Sequence, residues 1–215
     1  MSNPLYDADR AIAAALQSAA LQQNPLLHAI GTTFNRWGGS GVIYFTALLW
    51  LGGRVMDRKR IALLGFRGAE AIALASALSA IVKGLAGRAR PFVTPGEPWH
   101  WYFSGGWTDA HFGSMPSGHT TATMAFATAI CVASARWANP ARAVMIVSSV
   151  SAGLLVAFAR VYTNQHWFSD VLAGTLIGIS MGLLLAIHHR RYPWTAFDLA
   201  MLGLRGGPDT PASKR

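Results

Sequence analysis

Five apolar runs, set apart by short basic clusters, constrain this chain more than anything else it carries. Gly38 to Gly53, Ile61 to Val82, Thr120 to Ala135, Ala143 to Ala159 and Val171 to Ile187 each approach the length of a bilayer-crossing helix, ~20 residues, once flanking turns are counted. The composition agrees: 52% of the residues are hydrophobic and 13% are charged, where a soluble domain usually carries about 25% charged. The expected fold is all-α, a polytopic membrane bundle of five to six helices forming one domain over residues 1–205. A polar tail follows over 206–215. Residues 1–37 hold a short apolar stretch, Ala11 to Leu21, any extension of which is interrupted by Gln17, Gln22, Gln23, Asn24, Pro25 and His28. It is expected to lie at the interface as an amphipathic helix, with a sixth, poorer span as the alternative. Acidic Asp7 and Asp9 precede it, which does not fit a secretory signal peptide.

The net charge is +9 and the sequence pI about 10.6. In a soluble protein that would raise the question of nucleic acid. Here the charge stands beyond the apolar runs, at Arg58-Lys59-Arg60, Arg136, Arg142, Arg190-Arg191 and Lys214-Arg215. Cytoplasmic loops are where such charge collects. No basic stripe interleaves with exposed aromatics, so no nucleic-acid partner is expected. Holding these clusters inside sends residues 84–117 and 161–167 to the opposite face. Arg67 and Glu70 interrupt the second run three residues apart, where they can pair on one helix face. The single cysteine, Cys131, permits no disulfide within the chain and reads as a small buried hydrophobe.

Three short patterns fall on that opposite face. The first is Lys83-(x6)-Arg90-Pro91, the second Pro116-Ser117-Gly118-His119, and the third Arg160-(x5)-His166-(x3)-Asp170. Lys83, Arg88 and Arg90 crowd positive charge where it is normally depleted, so they need an anion, and a phosphate suits them: arginine offers forked bonds and lysine a point charge. Pro91 stops the helix. Ser117 and Gly118 open a helix whose free N–H groups and positive dipole end favour an anion, and Gly118 lets it approach the backbone. His166 and Asp170 stand at i and i+4, so the carboxylate can accept from one ring nitrogen and leave the other free to attack. Phosphoryl transfer needs mostly positioning and charge stabilisation. The division of labour that follows makes His166 the nucleophile of a phosphohistidine and His119 the acid, then base. Lys83, Arg90, Arg160, Ser117 and the Gly118 N–H hold the equatorial oxygens. No metal or cofactor is expected, because the cations supply the charge.

Residues 92–116 hold Trp99, Trp101, Tyr102, Phe103 and Trp107 among glycine and proline. They are expected as an aromatic belt at the membrane surface, and the same residues can cover a lipid headgroup. His100 and His111 lack a matching carboxylate or cysteine spacing and read as interfacial polar residues rather than metal ligands.

The ten motif positions resemble the three signatures of the type 2 phosphatidic-acid phosphatase superfamily: Lys-x6-Arg-Pro, Pro-Ser-Gly-His and Ser-Arg-x5-His-x3-Asp. One position departs, with Ala159 where the family has serine before the arginine, which removes a hydroxyl that could steady Arg160. The resemblance implies the helical core shared with haloperoxidases, usually of six spans, here with the N-terminal helix lying in place of the first. It assigns the same roles: His166, Asp170 and His119 in catalysis, and Lys83, Arg90, Ser117, Gly118 and Arg160 on the phosphate. Similar small multi-span members are bacterial phosphatases of phosphatidylglycerol phosphate, phosphatidate or undecaprenyl diphosphate. The expected partners are therefore the bilayer and a phospholipid or polyprenyl phosphate substrate. The expected location is the bacterial inner membrane with the site facing the periplasm. Transfer of the phosphoryl group to a second lipid, or a non-catalytic lipid-binding or transport role, stand as alternatives. The third motif's span also carries Gly174-(x3)-Gly178-(x3)-Gly182, which fits close packing within the bundle at least as well as between subunits.

Overall fold

The computed structural model describes residues 3–135, 140–192 and 196–203. Arg136, Lys214, Arg215 and the tail expected over 206–215 lie outside them. The helices run in the order α1 (Pro4–Leu16), α2 (Ala19–Gln22), α3 (Pro25–Val55), α4 (Lys59–Ala86), α5 (Gly118–Ala133), α6 (Pro140–Tyr162), α7 (Phe168–Arg191) and α8 (Ala196–Leu202). Each of the five apolar runs falls in one helix, from α3 to α7, except that Ser134 and Ala135 follow the end of α5. Local chemistry sets several of the ends. Asn3 and Asn24 accept from the N–H groups at the starts of α1 and α3, each followed by a proline whose missing N–H costs nothing there. Gly87 closes α4 at φ +60°, a left-handed turn that favours glycine.

Helix α5 sits at the centre, packed against α3, α4, α6 and α7. At 16 residues it is shorter than a free-standing span, and Thr120 to Ala127, Ala129 and Ile130 are buried. Its neighbours supply the core: Leu64 and Ile72 meet Ala122, Phe126 and Ile130 on one side, while Ala71, Ala75 and Leu185 meet Ala125 and Ala129 on the other. The α7 glycine ladder faces α5. A Cβ at Gly174 would come within 2.6 Å of the Ser117 carbonyl oxygen, one at Gly178 within 2.5 Å of the Thr121 oxygen, and one at Gly182 within 2.8 Å of Thr128 Cβ. These small residues thus serve the bundle's own backbone contact.

Among the described residues, α4, residues 142–162 of α6, and α7 are each long and apolar enough to cross a membrane by themselves. Helix α5, at 16 residues, is enclosed by its neighbours, and α3 is diluted by Trp37, Gly38, Gly39, Gly41, Tyr44 and Trp50. Leu48, Leu154 and Leu176 are more than half exposed on the outside of the bundle, as lipid-facing side chains would be. Within residues 1–37, positions 25–37 belong to the 31-residue α3, and ahead of it α1 has 13 residues and α2 has 4. Helix α1 packs against α6 and α7.

At the far end, Arg67 NH1 donates to Glu70 Oε2 at 3.0 Å, the pair expected from their spacing, and to Asp198 Oδ1 at 3.2 Å. Helix α8 folds back there, burying Leu202 against Ala62 and Phe66. Arg67 lies among the carboxylates of Glu70 and Asp198 and the ring of His189, which makes that cluster an ion-pair anchor for α8.

Candidate active site

The three motifs converge at one end of the bundle because the chain reverses twice there. After α4 ends at Gly87, residues 88–90 run beneath the aromatic loop. Tyr102 N donates to the Gly87 carbonyl at 2.7 Å, Ala89 N to His100 at 2.9 Å, Arg90 N to His111 at 2.9 Å and Ser114 N to Arg88 at 3.0 Å. These bonds stitch residues 99–114 onto the first motif. Trp101, Tyr102, Phe103 and Trp107 are exposed above it, as an interfacial belt requires. His111 pairs with Asp109 at 2.7 Å on the exposed rim. The backbone and side chain of His111 donate to the Asp109 carboxyl and hold it below the usual carboxylate range.

The second reversal joins α6 to α7. His166 N and Gln165 N both donate to the Arg160 carbonyl, at 3.0 and 3.1 Å, so Arg160 and His166 turn into the same space. Asp170 Oδ2 accepts from Trp167 N at 2.9 Å and so caps the helix it belongs to. Ser117 N donates to the Asp170 carbonyl at 2.9 Å, tying the start of α5 to the start of α7.

His166 is 2% exposed. Its Nδ1 lies 3.5 Å from Asp170 Oδ2 and its Nε2 lies 3.4 Å from Arg90 NH1. The expected bond from His166 to Asp170 is therefore stretched, and Nδ1 has no hydrogen-bond partner among the described residues. The reason lies in Asp170 itself, whose Oδ2 already accepts from Ser114 Oγ at 2.5 Å and from Trp167 N. Burial, opposed by Asp170, pushes the His166 imidazole down to about 3. The ring is thus neutral at physiological pH, with Nε2 aimed toward the cations.

Lys83 Nζ donates to the Gly113 carbonyl at 2.6 Å and to the Pro116 carbonyl at 2.9 Å, which fixes it beside the start of α5. Arg90 donates to Ala110 and Gln165 carbonyls, each at 3.0 Å, and its burial lowers the pKa of its guanidinium. Arg160 donates to Asn35 Oδ1 on α3, while its buried Nε has no partner among the described residues. Ser117, 0% exposed, shares a 3.0 Å bond with Thr120. Lys83 and Arg160 act electrostatically on both histidines, and Arg90 acts on His119 and touches His166. The backbone of α3 reaches the second histidine: a Cβ at Gly39 would stand 2.6 Å from the His119 ring.

Arg88 behaves differently from what its crowded position suggests. It is 1% exposed and its anions are carboxylates: NH1 meets Asp170 Oδ1 and NH2 meets Asp9 Oδ2, both at 2.6 Å. Its Nε donates to the Pro98 carbonyl at 2.7 Å, and its guanidinium lies near the rings of Trp101 and Trp167. Sequence reasoning also missed Asn35, Ser114, Ser169 and Asp9. Asn35 supplies an oxygen to Arg160 from a different helix, in a chain whose Ala159 offers the arginine no hydroxyl.

Residues 65–194 match the family model described as the PAP2 superfamily. The chain is similar to the first transmembrane PAP2 type phosphatidylglycerolphosphate phosphatase from Bacillus subtilis, at 20% identity and a TM-score of 0.66, covering 88% of each chain. It is also similar to Aquifex aeolicus LpxE, at 21% identity and a TM-score of 0.59, covering 86% of this chain and 95% of that one. No curated protein sequence matches it. The family match takes in all three motifs and the fold match takes in nearly the whole bundle. The chain belongs to the PAP2 superfamily.

Proposed function

We propose that the protein hydrolyses a lipid phosphate monoester or diphosphate through a phosphohistidine, at the periplasmic face of the bacterial inner membrane. The observation that carries this reading is His166: a buried, neutral imidazole with one nitrogen toward a carboxylate and the other 3.4 Å from a guanidinium. Nε2 attacks phosphorus and forms the N–P bond. The P–O bond to the lipid breaks, and His119 gives its proton to the departing oxygen. Water then transfers a proton to His119 and attacks the phosphohistidine, releasing inorganic phosphate. Lys83, Arg90, Arg160, Ser117 and the Gly118 N–H stabilise the charge on the phosphoryl oxygens, with Asp170 facing Nδ1 as the ring becomes cationic.

An apolar groove of about 490 Å³ between α3, α5 and α6 supports a lipid substrate. Phe34, Val42, Phe126 and Val156 line it, and Trp37 and Phe45 are exposed at its rim. Gly38 and Gly41 line it too, and Gly39 between them abuts His119, so the groove runs along the turn of α3 that touches the acid. The periplasmic assignment rests on Arg58-Lys59-Arg60, Arg142 and Arg190-Arg191, all at the other ends of their helices. The candidate substrates are phosphatidate, phosphatidylglycerol phosphate and undecaprenyl diphosphate. Phosphate release from each by detergent-purified protein in EDTA, with His166→Ala as control, tests the proposal. Release confined to the parent supports it; equal release from the variant, or a strict need for a divalent metal, refutes the mechanism.

A further inference from the structure

Asp9 lies in the N-terminal helix, 79 positions from the residue it meets and outside every motif, yet it is 0% exposed. Both of its oxygens are engaged at the start of α7. Oδ1 accepts from Ser169 N at 2.7 Å; Oδ2 accepts from Ser169 Oγ and from Arg88 NH2, each at 2.6 Å. Arg88 NH1 in turn donates to Ser169 Oγ and to Asp170 Oδ1, both at 2.6 Å. The result is a closed ring in which one guanidinium is shared by two carboxylates, and only one of those carboxylates faces His166.

We infer that Asp9 is a positioning residue for catalysis, acting through Arg88 to keep the Asp170 carboxylate available to His166. The inference rests on the phosphohistidine reading above. As the N–P bond forms, the imidazole acquires positive charge, which Asp170 must meet. Arg88 and Asp170 alone would be a neutral pair, with little net charge left for the ring. Asp9 supplies the second negative charge, so the ring of buried groups carries a net −1 beside His166. It also fixes the geometry. With NH2 held by Asp9, Arg88 meets Asp170 through NH1 alone and cannot take both carboxylate oxygens in a forked bond, which would draw Oδ2 from its place opposite Nδ1. The N-terminal helix is in this way part of the catalytic apparatus without touching the substrate.

The test compares full-length parent, Asp9→Asn, Asp9→Ala and His166→Ala in detergent micelles. The substrates are dioctanoyl phosphatidate, phosphatidylglycerol phosphate and undecaprenyl diphosphate, taking whichever the parent turns over fastest. Asp9→Asn keeps the shape and an oxygen for Ser169 but removes the charge. Its kcat is expected to fall about 10- to 100-fold with KM unchanged. Inhibition by orthovanadate, a mimic of the pentacoordinate transition state, should weaken in proportion, while inhibition by inorganic phosphate should not. A role confined to anchoring α1 would move neither the kcat-to-KM split nor the vanadate-to-phosphate ratio. A kcat within about threefold of the parent, or a loss seen in KM alone, overturns the inference. If Asp9→Asn does not fold, Asp9→Ala decides, because it removes the negative charge without setting an amide N–H against the Arg88 guanidinium; an unchanged kcat there is equally fatal. His166→Ala separates the two levels: its activity, or no turnover by the parent on any lipid, sinks the underlying mechanism, whereas an inactive His166→Ala beside a fully active Asp9→Asn sinks only the role of Asp9.

Discussion

Replacing Arg88 by alanine is expected to cost both stability and turnover, although Arg88 lies between the first motif's signature positions and carries none of them. The guanidinium is 1% exposed, and Asp9 and Asp170 are both 0% exposed. Removing it leaves two buried carboxylates facing one another without a cation, and the Pro98 carbonyl without its donor. Removing one partner of a buried ion pair costs about 3–5 kcal/mol, and protonation of one carboxylate relieves part of the added repulsion here. For a chain of this size that corresponds to a fall of about 6–20 °C in Tm. The eight tryptophans make intrinsic fluorescence during a thermal ramp in detergent a direct assay. Turnover should drop with it even at temperatures where the variant is folded, since Asp170 loses the bond that orients it. Arg88→Lys should recover only part of either loss, because one ammonium cannot reach both carboxylates and Ser169 with the same geometry. A Tm within about 2 °C of the parent, with turnover within about threefold, would refute the reasoning and return Arg88 to the role of a peripheral phosphate-attracting cation.

His166 titrates at about 3 in the folded protein, whereas an unfolded chain protonates it near 6.5. Between those values the unfolded state binds the extra proton, so stability rises with pH through the window and is lost as pH falls toward 3. His166→Gln should therefore lose less Tm than the parent between about pH 7 and 4.5; equal slopes would contradict the buried neutral ring. Asn35→Ala should lower kcat/KM about tenfold by freeing the Arg160 guanidinium, measured as phosphate release at low substrate, while leaving Tm near that of the parent. Gly39→Val should displace the His119 ring, since even a Cβ there stands 2.6 Å from it. An activity loss of at least about tenfold in a folded protein is expected, and unimpaired turnover would remove His119 from the reaction.

How much of this was legible in the sequence depends on whether an interaction is local or distant. Ser117 and Gly118 opening α5 and the i,i+3 pair of Arg67 and Glu70 follow from chemistry within a turn or two, whereas Pro91 reads as the stop of α4 and the helix in fact ends at Ala86, where Gly87 takes a left-handed turn. The i,i+4 spacing of His166 and Asp170 correctly put the two side chains on one side, but not at bonding distance, because Ser114 and the Trp167 N–H compete for the same oxygen. The glycines of α7 suggested a close contact without naming the partner, and the structure gives that partner as α5.

The apolar runs by themselves determined a helical membrane bundle, since each run must satisfy its backbone within itself in lipid. The basic clusters and the motif spacings likewise put the side chains proposed for catalysis at one end. The anion of Arg88 was decided only by the tertiary structure. A guanidinium has no preference between a phosphate and a carboxylate that can be read from its neighbours along the chain. Asp9, held 79 positions away by the packing of α1 against α7, settles which one it meets. Asn35 reaches Arg160 across 125 positions for the same reason. Pairings of buried charge are set by which helices touch, and that contact is made by apolar faces with no record of it in the motifs themselves.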